Sequence, residues 1–529
     1  MITDLASQPN AHQTVETDVL IIGAGIAGLI LADRLRRNKK RVVVLESGAL
    51  EQVGETHPLN RVVQLGDAYS GATRGRFRCL GGTSTRWGGA LIPFLSSDLS
   101  DRPYLDLPAF PVSMDAIRPY LGALEKLFGI DGGSYEEEFV SEVGARNYIP
   151  TGDSDFQVRF AKWPTFKKRN VASVFNEQIQ SDRNLQVSIN STATALSMDA
   201  ENGRIVSVTG RHQNGNSITV TAKHFVICAG AIETTRLLLL LDRQQNSRLF
   251  QGCDALGRYF FDHISVRLAS IRADHPARLN RMAGFRFVDS TMRSLRFELS
   301  PNAQRREQVG SAFGHISFRT NSDTAFDMLR NLLRSRQRRE TFPSSQLLLG
   351  ALGELPYLVR LGFWRAVHRQ LLWPVPAIYE LHVVAEQMPR VNNSITLASE
   401  CDWFGLPLAA INWRITAQDC SIFPLFQRLF DRYWDRHGLR EVGELIWINE
   451  PGSDLILRNE QVDVYHPGGS ARMGVDPRSA VLDTNLRVYG LPNLWTASTA
   501  AFPSGGGANP TLTLILFTMR LADHLTNVT

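Results

Sequence analysis

The stretch Thr17–Glu46, TDVLIIGAGIAGLILADRLRRNKKRVVVLE, decides the fold of this chain. Two short apolar runs, Asp18–Ile22 and Arg41–Leu45, have the length of buried strands, and a helical segment lies between them. The first run leads directly into the GAGIAG motif of residues 23–28. The order strand, glycine turn, helix and strand predicts an α/β fold with a Rossmann-type βαβ unit.

Each glycine of this motif meets a different structural requirement. Gly23 permits the tight turn, Gly25 lets the backbone approach a pyrophosphate, and Gly28 lets the helix lie close to the sheet. The helix N-terminus then offers free N–H groups and the positive end of its dipole to the phosphates. Glu46 closes the second strand, where an acid accepts a hydrogen bond from a ribose hydroxyl. These features predict a dinucleotide site, and the alternative is a glycine-rich structural turn.

Composition limits the class of protein. The 529 residues have room for two or three domains, and the 43% hydrophobic and 21% charged content is ordinary for a soluble protein. The five scattered cysteines include no CxxC pair, so we expect neither a disulfide scaffold nor a zinc site, and no metal. We see no signal peptide and no membrane-spanning run. A reducing, cytoplasmic location is therefore expected.

The positive charge is concentrated in one segment. Asp327–Trp373 holds eight arginines and three acids, so its own net charge is +5. This equals the formal net charge of the whole chain. Because the remainder is balanced, we expect no nucleic-acid partner. Two interpretations of the segment stay open, a solvated helical pair or a contact with a membrane surface or a lipid-linked substrate.

Glycine-rich stretches recur further along the chain. Residues 79–89, CLGGTSTRWGG, fit neither a regular helix nor a packed strand, so their backbone can approach a flat ligand. An apolar strand from His224 to Gly230 precedes a leucine-rich helix, Thr234–Leu241. Near the C-terminus, Asn509-Pro510 begins a helix that runs to about Leu525. These units predict a dinucleotide domain whose sheet is completed by distant segments.

The middle of the chain reads as a second domain that covers the substrate. Ile378–Val384 and Ser394–Leu397 are predicted strands, and an apolar helix face from Ile422 ends before Gly438. Glu380, His382 and Glu386 fall on one side of the first of these strands. Two interpretations stay open for this side, a pocket wall and a solvated face.

These motifs together resemble the glucose–methanol–choline (GMC) oxidoreductases, which are FAD-dependent alcohol oxidases and dehydrogenases. The resemblance extends over almost the whole chain in the family's order, and the matching segments are residues 23–46, 81–84, 226–238, 257–263, 466–473 and 509–510. Residues 84–87 and 509–513 look most like the pyranose oxidase and glycoside 3-dehydrogenase branch. That branch often has a histidine, covalently attached to FAD, where this chain has Arg86, so FAD is expected without a covalent link.

The resemblance implies a domain division and a cofactor site. Residues 1–105, 185–265 and 455–529 are expected to form a discontinuous FAD-binding domain, and residues 106–184 and 266–454 an α+β substrate-binding domain with a mixed sheet. The expected cofactor-binding residues are Gly23, Gly25, Gly28, Glu46, Gly81, Gly82, Thr83, Ser84, Ala229, Gly230, Asn509, Pro510 and Thr511.

The resemblance also implies the catalytic residues, His466 and Asn509. A histidine can accept the hydroxyl proton of an alcohol at neutral pH, and an asparagine can bind the same hydroxyl without competing for the proton. The expected reaction oxidises a CH–OH group of a sugar or glycoside to a carbonyl by hydride transfer to flavin, with oxygen or another acceptor. The alternatives are a non-catalytic flavin-binding or nucleotide-binding subunit and an oxidase acting on a non-sugar or lipid-linked alcohol. An NAD-dependent dehydrogenase shares the opening motif, but the late C-terminal return to the nucleotide domain argues against it.

Overall fold

The computed structural model describes residues 1–7, 12–199, 201–320, 324–340, 354–448 and 462–528. Its strands are β1 (Ile2–Asp4), β2 (His12–Ile22), β3 (Val42–Leu45), β4 (Val63–Gln64), β5 (Phe156–Trp163), β6 (Leu185–Ile189), β7 (Thr192–Asp199), β8 (Arg204–Arg211), β9 (Ser217–Ile227), β10 (His263–Arg272), β11 (Arg286–Val288), β12 (Thr291–Leu299), β13 (Ala312–Arg319), β14 (Ile378–Glu386), β15 (Ser394–Cys401), β16 (Pro407–Asn412), β17 (Glu444–Trp447), β18 (Val462–Asp463) and β19 (Leu494–Thr496). Its α-helices are α1 (Ile26–Arg37), α2 (Ser96–Leu99), α3 (Met114–Ile117), α4 (Leu121–Phe128), α5 (Glu138–Glu142), α6 (Phe166–Arg169), α7 (Val171–Val174), α8 (Asn176–Ser181), α9 (Gly230–Gln244), α10 (Pro276–Ala283), α11 (Pro301–Glu307), α12 (Ala325–Arg338), α13 (Leu355–His368), α14 (Ala417–Cys420), α15 (Ile422–Arg436) and α16 (Thr511–Val528).

The first sheet contains the predicted βαβ unit. Its strand order is β1-β6-β3-β2-β9-β8-β7, and β19 pairs with β9. β2 and β3 run parallel, with Val19 opposite Val42 and Ile22 opposite Leu45. All of β3 and the end of β2 are buried, as is typical of parallel strands covered on both faces. The α/β fold class and the opening strand, helix and strand are therefore confirmed.

The turn between β2 and α1 depends on its glycines. Gly23 has φ 106°, a conformation that side chains disfavour. A Cβ on Gly28 would lie 1.9 Å from the carbonyl oxygen of Gly23, so a larger residue there would push the helix off the turn. The absence of a side chain at Gly28 therefore allows α1 to lie close to the sheet, as the sequence predicts.

Distant segments complete this sheet. Strands β6 to β9 come from residues 185–227, and β19 comes from near the C-terminus. The last helix, α16, lies against α1, where Arg34 forms an ion pair of 2.8 Å with Asp523. A discontinuous sheet was expected, and the structure has one. The boundary expected at 454/455 lies outside the described residues, and the division into two domains stays a prediction.

The middle of the chain forms a second, antiparallel sheet. Its order is β11-β12-β13-β14-β10-β17, with β5 paired to β12 and β18 paired to β10. Helix α15 packs on it through aromatic rings, and the ring of Phe156 lies 5.0 Å from that of Phe426 and 5.4 Å from that of Phe430. A small third sheet, β15-β16-β4, combines antiparallel and parallel pairs.

Three local predictions differ from the structure. The alternating run Ser217–Thr221 and the apolar run from His224 each predict a strand, but the structure joins them in β9, Ser217–Ile227, because β9 pairs with β2 along its length. Strand β7 was not predicted. The apolar spacing of Ile117, Leu121, Leu124 and Leu127 predicts helix within Pro111–Gly129. The structure divides this range between α3 and α4 by a 3₁₀ turn that contains Pro119, a residue that cannot donate within a helix.

The arginine-rich segment Asp327–Trp373 contains two helices in the structure, α12 and α13. Residues 341–353, which connect them, lie outside the described residues. Among the residues that the structure describes, no helix combines the length and apolar character needed to cross a bilayer.

Candidate active site

A cavity of about 560 Å³ brings most of the predicted cofactor residues together. It extends from the βαβ turn to the C-terminal motif, so segments far apart in sequence share one wall. The predicted residues that line it are Gly23, Gly25, Glu46, Gly82, Thr83, Ser84, Ala229, Gly230, Asn509, Pro510 and Thr511. Gly28 and Gly81 are not part of the wall and lie behind it, where Gly28 packs α1 on the turn and Gly81 accepts a hydrogen bond from the hydroxyl of Ser84.

The cavity fits an elongated dinucleotide. Helices α1, α9 and α16 all begin at its wall, so each presents unpaired N–H groups and the positive end of its dipole. A Cβ built on Gly25 would meet no atom within 4 Å, which leaves room for a phosphate against the backbone. Ile22 and Ile232 add apolar surface to the wall. These residues suit FAD, with its pyrophosphate near α1.

Glu46 lies on the wall, as expected for a ribose partner, but its carboxylate also has backbone partners. It accepts hydrogen bonds of 2.9 Å from the N–H groups of Ala24 and Gly48. Burial raises its pKa, although these two donors oppose the shift. The side chain of Ser47 also bonds to this carboxylate, and a carboxylate has about four acceptor positions, so a position remains for a ribose hydroxyl. Glu46 therefore also ties the end of β3 to the glycine turn, which the sequence did not predict.

The two predicted catalytic side chains meet at the other end of the cavity. The amide nitrogen of Asn509 lies 3.2 Å from Nε2 of His466. The amide oxygen of Asn509 accepts a hydrogen bond from the guanidinium of Arg296, on β12. Asn509 was also expected to cap α16, but its side-chain oxygen is turned to Arg296. Arg296 is a residue that the sequence analysis missed.

The imidazole of His466 is held in its neutral form. Burial lowers its pKa well below the ordinary histidine value, and the nearby His263 and Arg296 lower it further. Burial also lowers the pKa of Arg296, to about 10, so that its guanidinium remains charged at neutral pH. The imidazole therefore has a free electron pair on a ring nitrogen over the whole neutral range.

Asp262 organises the backbone around both histidines. Its carboxylate accepts hydrogen bonds from the backbone N–H groups of His263, at 2.6 Å, and His466, at 2.8 Å. The hydroxyl of Tyr69 donates to its other oxygen at 2.7 Å. Burial raises the pKa of Asp262 to about 7, and Asp463 adds to the shift. This carboxyl group therefore fixes the backbone of both histidines relative to one another.

His263 bonds locally. Its Nε2 donates to the carbonyl oxygen of Gly506 at 2.8 Å, and its ring lies perpendicular to that of His466 with centroids 5.2 Å apart. Because a carbonyl only accepts, Nε2 of His263 must carry a hydrogen. The free acceptor of the neutral ring is then Nδ1, which has no described partner and is buried. His263 therefore supports the site and does not compete with His466.

Ligand-type atoms of Asp262, His263 and His466 lie within 4.8 Å of one another, a spacing that a metal ion could use. Each of the three side chains already has a hydrogen-bond partner, namely Tyr69, Gly506 and Asn509. We therefore interpret the group as a hydrogen-bonded network. The expectation of no metal stays a prediction.

Two tryptophans form an aromatic part of the wall. Trp87 donates from Nε1 to the carbonyl oxygen of Arg169 at 2.9 Å, and Trp163 donates to the hydroxyl of Ser294 at 2.8 Å. The guanidinium of Arg169 also lies over the Trp163 ring, 5.6 Å from its centroid. Trp163 was not predicted, because it lies on a strand of the second sheet with no motif around it.

A buried ion pair supports the loop behind His263. The guanidinium of Arg102 donates to both oxygens of Glu386, at 2.7 and 2.8 Å, and to the hydroxyl of Ser504. Glu386 also accepts from the N–H of Gly506. Burial alone would raise the pKa of Glu386, but Arg102 lowers it to about 2.

The side of β14 that carries Glu386 is therefore neither of the two alternatives that the sequence left open, a pocket wall or a solvated face. Glu380 is buried and paired with Arg267 and Arg319, and His382 bonds to Glu380. None of Glu380, His382 and Glu386 is among the described residues that line the cavity. Their role is to join elements of the second sheet and the loop behind the site.

Two protein families match parts of the chain. Residues 389–518 match the GMC oxidoreductase family, and residues 21–50 match the NAD(P)-binding Rossmann-like domain. The resemblance to the GMC oxidoreductases is therefore confirmed, and with it the predicted class of enzyme and FAD as the cofactor. The absence of a covalent link stays a prediction.

Similar proteins match over nearly their whole length. The fructose dehydrogenase large subunit of Gluconobacter japonicus is 22% identical over 98% of this chain and 99% of its own. The 2-methyl-1,2-propanediol dehydrogenase of Mycolicibacterium austroafricanum is 21% identical, over 96% of this chain and 95% of its own. The paromamine 6'-oxidase of Streptomyces fradiae is also 21% identical, over 96% and 90%. The crystal structure of pyridoxine 4-oxidase from Mesorbium loti has a TM-score of 0.60 at 18% identity, over 96% of this chain and 99% of that one.

Proposed function

We propose that this GMC-type oxidoreductase oxidises a CH–OH group of a sugar or glycoside to a carbonyl, with His466 as the base. The observation that carries the proposal is the pairing of His466 with Asn509, 3.2 Å apart, on the wall of the dinucleotide cavity. FAD bound in this cavity would supply the acceptor for the hydride of the substrate carbon. The chain's own residues bind the substrate, orient it and move the hydroxyl proton.

His466 accepts this proton at Nε2. Its lowered pKa keeps the ring neutral at physiological pH, so the electron pair is available before substrate arrives. In the structure this pair faces the amide of Asn509, and the substrate hydroxyl takes over that position. The second hydrogen of the Asn509 amide then donates to the same substrate oxygen. The nearby charge of Arg296 favours the negative charge that develops there.

The aromatic wall supports a sugar as substrate. The faces of Trp87 and Trp163 are flat, apolar and fixed by hydrogen bonds, which suits the C–H face of a sugar ring. The names of two relatives, fructose dehydrogenase and paromamine 6'-oxidase, indicate sugar-type substrates for those proteins. Together these observations favour a carbohydrate over a short alkanol.

The cofactor is proposed to be held by hydrogen bonds and packing alone. Arg86 occupies the position of a covalent histidine in the resembling branch, and its guanidinium forms an ion pair of 2.8 Å with Glu340. The described thiols of Cys79, Cys228, Cys253 and Cys401 are not in disulfide bonds, which supports a reducing, cytoplasmic location.

The test is anaerobic mixing of the purified protein with a panel of sugars, glycosides, short alcohols and diols. We expect loss of the oxidised flavin absorbance with at least one sugar or glycoside, followed by recovery with oxygen or a quinone. Bleaching by diols alone would support a non-sugar alcohol, in line with the relative named 2-methyl-1,2-propanediol dehydrogenase. No bleaching by any alcohol would point to a non-catalytic subunit and overturn the proposal.

A further inference from the structure

Helix α13 presents a row of exposed apolar side chains. Leu355, Val359, Phe363 and Val367 are 57%, 65%, 66% and 55% exposed. Their spacing of four residues places them along one side of the helix. No residue within α13 is buried. A continuous row of this kind is unusual on a soluble protein and marks a surface that contacts something else.

Positive charge lies on the same helix and on α12, which precedes it in the chain. Helix α13 has no acidic residue and carries Arg360 and Arg365, and Arg369 follows its end. Helix α12 adds Arg330, Arg334, Arg336 and Arg338. Two of the three acids of the segment are already engaged, because Asp327 pairs with Arg330 and caps α12, and Glu340 pairs with Arg86, and the third, Glu354, precedes the first turn of α13. The chemistry that complements this surface is both apolar and anionic.

The inner side of α13 is firmly attached to the fold. The hydroxyl of Tyr357 donates to the carbonyl oxygen of Leu372 at 2.8 Å, and the guanidinium of Arg365 lies 3.3 Å from the centroid of the Phe287 ring. In the same region the ring of Phe285 packs edge-on against Trp163, a residue of the cavity wall. The exposed row is therefore on a held helix next to the wall of the active site.

We propose that α13, with the exposed Arg360 and with Arg369 at its end, is a docking site for an anionic lipid bilayer. The apolar row enters the boundary of the acyl chains, and the arginines contact lipid phosphates, without any segment crossing the membrane. A bilayer fits better than a protein partner because exposed arginines and an exposed apolar row share α13 and its end, and no acid on α13 offers the arginines an ion pair. The proposal stands independently of the proposed function.

Co-sedimentation of the holoenzyme with vesicles tests the proposal. The vesicles are phosphatidylcholine with about 30% phosphatidylglycerol, compared with phosphatidylcholine alone. We expect binding to the anionic vesicles at about 20 mM salt and loss of most of it at about 0.5 M salt. Phe363→Asp and Val359→Asp should each reduce binding at least tenfold, and Arg360→Gln about fivefold.

The matched control is Val475→Asp, which changes a residue that is 78% exposed but lies outside the row. It should bind like the parent, and all variants should keep the parent's flavin absorbance and melting temperature. Absence of binding by the parent, or equal loss with Val475→Asp, would overturn the proposal. A parent that is a dimer, becomes a monomer on Phe363→Asp and ignores vesicles would assign the row to a second copy of this chain and also overturn it.

Discussion

The amide of Asn509 has its oxygen towards Arg296 and its nitrogen 3.2 Å from Nε2 of His466. A guanidinium has only donors, so the oxygen of the amide must face it. The nitrogen must then face the imidazole, and Nε2 of His466 must accept. The electron pair that a general base needs is therefore on Nε2, facing the amide of Asn509, at the wall of the cavity.

Replacing His466 by alanine should slow flavin reduction by substrate without loss of FAD. The loss of a general base typically costs ~10²- to 10⁴-fold in rate. Anaerobic stopped-flow mixing measures this step apart from reoxidation. His382→Ala is the matched control, because His382 belongs to the second sheet outside the described cavity wall. Reduction of the His466→Ala flavin at the parent rate would assign the base to another group.

The pH dependence of the same step should reflect the lowered pKa of His466. A base with a lowered pKa stays unprotonated, and hence active, to a lower pH than an ordinary histidine. We therefore expect the reduction rate constant to be level between about pH 6 and pH 8 and to fall only below that range. Asn509→Asp places a carboxylate beside the imidazole, raises its pKa and should move the fall to higher pH. A parent rate that halves near pH 6.5 would contradict the assignment.

The sequence predicted those parts of the site that are local in the chain. The GAGIAG turn, β2, α1 and β3 follow from short-range pattern, because each residue meets neighbours within one βαβ unit. His466 and Asn509 were predicted from motifs that resemble those of a known family, and not from hydrophobic periodicity. Arg296 was missed because it lies 213 positions from Asn509 and reaches it through the pairing of the second sheet. The sequence pattern of Thr291–Leu299 does not distinguish an arginine that faces the site from one that faces solvent.

The supporting network was missed for a related reason. Glu386 lies two residues beyond the predicted strand Ile378–Val384, on the same alternating side, and strand alternation alone leaves a charged side chain either solvated or on a pocket wall. Its partner Arg102 lies 284 positions away, and the loop that both hold, with Ser504 and Gly506, has no regular structure. The pairing depends on how the two sheets are joined, which a single sequence does not specify.

The buried ion pair between Arg102 and Glu386 should matter for stability. Arg102→Met leaves the Glu386 carboxylate buried without its cation, and breaking such a pair typically costs about 3–5 kcal/mol. The pKa of Glu386 is about 2 in the fold, below its ordinary value, so its contribution is present above about pH 4.5 and is lost as the pH falls towards 2. Urea unfolding at pH 7 and pH 4 measures this. Arg306→Met, at a half-exposed ion pair with Asp155, is the control and should change stability by about 1 kcal/mol at most.

FAD should leave the protein on denaturation. With Arg86 in an ion pair with Glu340, the wall offers no histidine at that position for a covalent link. Acid precipitation of the purified yellow protein is expected to release the flavin into the supernatant. Colour that stays in the pellet would show a covalent bond at another residue.

The last prediction concerns Arg296 as a positioning residue that acts through Asn509. Arg296→Met removes the donor that fixes the amide and the positive charge near His466, so flavin reduction should slow by about tenfold and its acid limb should move to higher pH. If Arg296 acts through the amide, the same change in an Asn509→Ala background should cost little further rate, a coupling of about 0.5–3 kcal/mol in a double-mutant cycle. Arg267→Met, whose guanidinium pairs with Glu380, should behave like the parent in both backgrounds. Equal effects of Arg296→Met with and without Asn509 would mean that the guanidinium acts on the substrate or on His466 directly, and not by orienting Asn509.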